Sequence, residues 1–145
     1  MRRKSGMHHV YLGLGSNLGD RQGYIEKAIM LINEKVGTVT CRSSLIETEP
    51  WGFESENQFL NCVILCETSL TPHELLDTTQ SIELEMGRTK KSGRNYQDRP
   101  IDIDILLYDD IKVDEPQLKI PHPLMERRDF VMIPLREVLL KQENS

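Results

Sequence analysis

The chain has 145 residues, of which 38% are hydrophobic and 28% charged, the balance of one folded domain and too apolar for a disordered chain. Its 23 acidic and 18 basic side chains leave a formal net charge of -5, which repels a nucleic-acid polyanion, so any anion must be met by a local basic cluster. No apolar run approaches the roughly 20 residues of a bilayer span, and the basic start Met1 to Lys4 is not followed by an apolar signal core, so neither a membrane span nor a secretory leader is expected.

Three cysteines, Cys41, Cys62 and Cys66, are odd in number and form neither a CxxC pair nor a Cys/His ligand spacing. They read as reduced thiols in a reducing compartment, which places the protein in the cytoplasm.

Residues His8 to Leu14 form a β-rich run that leads into the glycine-bearing segment GLGSNLGD, Gly13 to Asp20, as a strand leaving into a loop. Asp20 is placed to cap a helix carrying Ile25, Ala28, Ile29 and Ile32 at helical spacing, with Gly37 as its stop. Val39 to Glu47 and Phe59 to Thr68 read as two strands separated by TEPWGFESEN. Thr71, Pro72 and Glu74 spell a capping box, and Leu75, Leu76, Thr79, Ile82 and Met86 carry the second helix to Gly87. A polar, basic stretch from Arg88 to Arg99 precedes a strand over Ile101 to Tyr108. After a turn at Asp109 and Asp110, a small strand pair is expected at Ile111 to Val113 and Leu118 to Ile120. Short helices broken by Pro134 should fill Pro123 to Leu140. The order β, α, β, β, α, β predicts an α+β fold with a ferredoxin-like, mainly antiparallel sheet. One domain over residues 8–140 is expected, between an N-terminal tail (1–7) and a C-terminal tail (141–145).

The chemistry concentrates in RPIDIDILLYD. Asp102 and Asp104 are two apart on a strand, so both carboxylates share one face while Ile101, Ile103 and Ile105 take the other. Two such acids repel unless a cation joins them, and oxygen ligands suit Mg²⁺ with waters and a phosphate; the competing reading is a solvated strand face. Arg88, Lys90, Lys91, Arg94 and Arg99 form a basic island just before this strand. Arginines beside a carboxylate-held metal are the parts of a phosphoryl-transfer site, although a charged loop in solvent is the common alternative. The glycines at 13, 15 and 19 do not fit GxGxxG, and no P-loop motif is present. Gln80 and Glu83 share a helix face, by default the solvent side. His122 stands between two prolines, and the core is the default home of Phe59, Phe130 and Trp51.

Together GSNLGDR, ETEPWG, QFLNCV, IELEMGR, RPIDIDILLY and IPHPLMERRDFV, in this order from about His9 to Leu139, resemble the 6-hydroxymethyl-7,8-dihydropterin pyrophosphokinase family of folate biosynthesis. The resemblance implies a ferredoxin-like core in an αβα sandwich. It also implies transfer of the β,γ-diphosphate of ATP to the pterin hydroxymethyl group, with ATP and the pterin as small-molecule partners and no nucleic acid or membrane. Matched by position, Asp102 and Asp104 would hold two Mg²⁺ ions, and Arg88 and Arg99 would neutralise phosphate charge. Gln80, Glu83, Lys91, Ile105, His122 and Arg128 would lie on the ATP side. Asn61 would hydrogen-bond the pterin between Phe59 and Phe130, with Thr48 and Trp51 at loop positions beside it. The chain departs from the family where an RWGPR-like stretch is common: it reads RNYQDR, with Tyr96 and no tryptophan. Pro123 follows the histidine, and Phe59 lacks a tyrosine hydroxyl. A binding module on the same sheet has no need for the two acids, and a metal-dependent phosphohydrolase would need a water-positioning base, which is not identifiable here.

Overall fold

A four-stranded path in the order β2-β4-β1-β5 organises the protein. It comprises β1 (His8–Ser16), β2 (Gly37–Arg42), β4 (Phe59–Thr68) and β5 (Asp102–Tyr108), with β3 (Ile46–Thr48) also paired to β4. All pairings are antiparallel, and the order is the ferredoxin-like one. This computed structural model describes residues 7–48, 58–87 and 100–143.

Helices α1 (Arg21–Lys35) and α2 (Pro72–Glu85) cover one face. Their apolar stripes join Val10, Leu12, Leu14, Cys62, Ile64, Ile103 and Ile105 in the larger core. Helix α3 (Asp129–Glu143) covers part of the other face, where Val131, Leu135 and Val138 meet Val63, Leu65 and Leu106. The outcome is a sheet between helical layers, because alternate residues of β4 are apolar toward both sides.

Local signals account for the ends of the helices. Asp20 accepts a hydrogen bond from Gly23 N–H at the start of α1. Thr71 and Glu74 form the expected reciprocal capping box on α2, and Gly87 follows with φ 103°, where an L side chain would be strained.

Several expectations are corrected. The first strand runs on to Ser16, so Gly13 and Gly15 lie inside β1 rather than in a loop. Gly37 opens β2 instead of capping α1: an added Cβ would collide with the Glu67 carbonyl of β4, so strand approach requires the glycine. The run Val39 to Glu47 divides into β2 and β3. Between them Ser43 donates its N–H to the Val63 carbonyl, and its hydroxyl accepts from Val63 N–H, replacing strand pairing locally. The small hairpin is β6 (Val113–Glu115) with β7 (Leu118–Ile120), two residues later on its first arm than expected. A single 3₁₀ turn at Met125–Arg127 precedes α3. Pro134 lies within α3 rather than breaking it, although it has no N–H to give the Phe130 carbonyl. The helix also takes in residues 141–143, expected in the C-terminal tail, and Lys141 donates to the Arg42 carbonyl.

All three cysteines are free thiols, Cys62 and Cys66 buried and Cys41 half-buried. Burial pushes the Cys62 thiol up to about 11 and the Cys66 thiol up to about 12. Thiolates are the reacting form, so iodoacetamide at pH 8 should alkylate Cys41 in the folded protein and reach the other two only after denaturation, a difference read by mass spectrometry. Because the fold holds these protons, stability should decline as pH rises from the ordinary thiol value of 9.0 toward 11 to 12. Among the described residues no helix is long and apolar enough to cross a membrane.

Candidate active site

A cavity of about 730 Å³ opens over the α3-side face of the sheet and wraps around the outer edge of β5. Its floor follows from strand register. Gly15 stands opposite Asn61 of β4 on one side and Asp102 of β5 on the other. One step along, Gly13 stands between Val63 and Asp104. With adjacent strands roughly 4.8 Å apart, Asn61 and Asp102 are separated by about 10 Å across a trough cleared by glycine.

The two ends of the trough differ in chemistry. At one end Asn61, buried, donates its Nδ2–H to the Thr48 hydroxyl at 2.8 Å. That bond turns Oδ1 toward Gly15, where an added Cβ would stand only 2.9 Å from it and 3.5 Å from Phe59 Cδ1. Phe59 and Phe130 both line the cavity, and the Arg128 guanidinium carbon lies 5.5 Å from the Phe130 ring centre. At the other end Asp102 and Asp104, both half-buried, face the cavity from one side of β5, as their spacing predicts. His122 and Arg128 also line the cavity, and the charges of Asp102 and Arg128 both reach His122. Desolvation, then the Arg128 charge, lowers the His122 imidazole from its ordinary value, against an opposing pull from Asp102, which favours the neutral ring at pH 7.

The donor set fits a hard cation. Asp102 and Asp104 put two carboxylates, hard oxygen donors, on one strand face. Mg²⁺ takes such carboxylates together with water and phosphate oxygens.

At the outer edge of β5 the solvent-side default fails for Glu83. Gln80 is exposed, but Glu83 is only 9% exposed, and its Oε2 accepts the Ile103 N–H at 2.7 Å. By strand parity the N–H and C=O of Ile105 face the same edge. Since the Ile105 side chain belongs to the larger core, its main chain is what it presents to a ligand. Thus Thr48, Phe59, Asn61, Gln80, Glu83, Asp102, Asp104, Ile105, His122, Arg128 and Phe130 all border one cavity. Trp51, Arg88, Lys91, Arg94, Tyr96 and Arg99 lie outside the described residues. Sequence reasoning missed Gly13, Gly15 and Lys119 as cavity residues; alternation of the glycines with Leu12 and Leu14 was the available signal for the first two.

Residues 11–140 match the family model described as 7,8-dihydro-6-hydroxymethylpterin-pyrophosphokinase. A 2-amino-4-hydroxy-6-hydroxymethyldihydropteridine pyrophosphokinase of Porphyromonas gingivalis is 52% identical over 131 residues, covering 89% of each chain. One from Bacillus subtilis is 44% identical over 137 residues, covering 94% of this chain and 81% of the relative. Among solved structures, a Plasmodium falciparum HPPK-DHPS with pteroate superposes with a TM-score of 0.70 at 17% identity, over 94% of this chain and 40% of that longer one. At that identity the likeness is one of fold.

Proposed function

The chain belongs to the 7,8-dihydro-6-hydroxymethylpterin-pyrophosphokinase family, and from that premise we propose that it carries out pyrophosphoryl transfer from ATP to 6-hydroxymethyl-7,8-dihydropterin in folate biosynthesis. The hydroxymethyl oxygen loses its proton and bonds to the β-phosphorus, the bond from that phosphorus to the α,β-bridging oxygen breaks, and AMP leaves with the bridging oxygen. The observation that carries the residue-level reading is the row Asn61, Gly15, Asp102 across three strands. It sets a heterocycle-matching amide and a carboxylate about 10 Å apart on one floor, a span a pterin with its hydroxymethyl arm can bridge.

In this reading Phe59 and Phe130 hold the two faces of the pterin ring, and Asn61 pairs with its polar edge while Thr48 fixes the amide. A ring lacking that edge would leave the buried amide unsatisfied, which gives selectivity. Asp102 and Asp104 would hold Mg²⁺, two ions in this proposal, and the cation supplies charge neutralisation and polarisation at the triphosphate. Arg128, beside both Phe130 and His122, adds a fixed positive charge to the cavity, and His122 serves near Asp102 as a neutral hydrogen-bonding group. The edge groups of Ile105, with Gln80 and Glu83, border the part of the cavity assigned to the nucleotide. Arg88, Lys91 and Arg99 are assigned to the phosphates by family position, and Trp51 to the pterin loop. The free thiols support a cytoplasmic location.

Purified protein with ATP, MgCl₂ and hydroxymethyldihydropterin should release AMP and pterin diphosphate in equal amounts. ADP or inorganic phosphate as the product would replace this reading with a simple kinase or a hydrolase. Ligand binding without turnover would make the protein a binding module.

A further inference from the structure

We propose that Glu83 is a positioning residue for the metal-binding strand: its carboxylate fixes the main chain between Asp102 and Asp104, and through it the mutual placement of the two acids. This rests on the proposed function, and it gives Glu83 a task distinct from touching the nucleotide.

The geometry is specific. Among the described residues β5 is the last strand in the sheet, paired with β1 on one side. Among the described residues no strand pairs with the outer side, so other groups must hold its main chain in place. At this edge the Ile103 N–H donates to Glu83 Oε2 at 2.7 Å, and Ile103 is the residue between the two aspartates. The bond is short for an N–H···O contact, so it holds the Ile103 amide toward α2. Further along, the His122 N–H donates to the Leu106 carbonyl at 3.1 Å, so the segment from 103 to 106 is held from outside at two points. Glu83 itself is well placed to be rigid: it is 9% exposed, and its neighbour Ile82 is wholly buried in the larger core, where Ile103 also lies. Like charges on one strand face repel, and a strand with no neighbouring strand on one side among the described residues can respond by rotating. The Glu83 tie opposes the rotation, as outer partners of metal ligands commonly do.

A positioning role and direct nucleotide contact separate by their dependence on metal. Binding of α,β-methylene-ATP is measured by calorimetry in excess Mg²⁺ and in EDTA, for the parent protein, Glu83→Gln and Glu83→Met. The glutamine keeps an oxygen acceptor for Ile103; the methionine fills similar volume without one. The parent should bind more tightly with Mg²⁺. Glu83→Met should lose about tenfold or more of that metal-linked gain, a larger loss in Mg²⁺ than in EDTA, and Glu83→Gln should keep most of the gain. Hydrogen exchange at the Ile103 amide, followed by NMR without ligands, should quicken in Glu83→Met and not in Glu83→Gln. If Glu83→Met fails to fold, Glu83→Asp, one methylene too short to reach the amide, replaces it with the same expectations.

Equal losses in Mg²⁺ and EDTA would overturn the proposal in favour of nucleotide contact, and an undiminished metal-linked gain in Glu83→Met would overturn it outright. A parent protein with no metal-linked gain at all would overturn the proposed function together with this inference. A normal gain in the parent beside an unaffected variant removes only the role of Glu83.

Discussion

Replacing Asp102 or Asp104 with alanine should lower the rate of AMP formation by at least about 100-fold while leaving the circular dichroism spectrum and Tm close to those of the parent. Both carboxylates face the cavity from the open side of β5, so their removal takes little from either core. The rate loss has a different origin. A cation bound by the acids contributes several kcal/mol to a phosphoryl-transfer transition state, and about 2.7 kcal/mol already corresponds to a factor of 100. Excess EDTA should reproduce the loss in the parent, and added Mg²⁺ should restore it there but not in the variants at the same concentration. Turnover within a few-fold of the parent in either variant would remove that residue from the metal site.

How much of this was legible beforehand depended on whether local pattern or long-range approach decides each feature. Thr71, Pro72 and Glu74 lie close together in sequence, so the capping box of α2 could be read directly. The strand from Phe59 to Thr68 was equally plain, being β-rich and apolar toward both helical layers. Spacing likewise put Asp102 and Asp104 on one face. The break between β2 and β3 could not be read in the same way, because the Ser43 hydroxyl takes its bond from Val63, 20 residues distant. Gly37 resembled a helix stop, but it is required by the carbonyl of Glu67 on a neighbouring strand. Glu83 looked like one of a pair of polar residues on a helix surface. Only the placement of β5 beside α2 makes it an edge partner. The usual burial of aromatic side chains gave Phe59 and Phe130 a place in the core; the family resemblance alone set them facing a ring.

The glycine at 15 is where packing and recognition meet, and Gly15→Ala should weaken pterin binding by roughly 10- to 100-fold with little effect on an ATP analogue. An alanine Cβ would stand 2.9 Å from Asn61 Oδ1, too close for either to keep its place. A flexible side-chain end would normally yield at small cost. Here Asn61 is buried and its amide is tied to Thr48 at 2.8 Å, so the clash must break that bond or shift β1. Overpacking of this sort also costs about 1 to 3 kcal/mol of stability, and Tm should fall with affinity. Asn61→Ala should produce a pterin loss of similar size by another route, since it leaves polar groups unpaired at about 1 to 3 kcal/mol. The two changes should not add. Once Asn61 is alanine, nothing remains at 2.9 Å for the new methyl to strike, so the double variant should bind pterin about as weakly as Asn61→Ala alone. Calorimetric titration of pterin across this double-mutant cycle gives the coupling directly. Additive losses would mean that Gly15 acts elsewhere than through Asn61, and unchanged pterin affinity in both single variants would move the pterin away from this end of the trough.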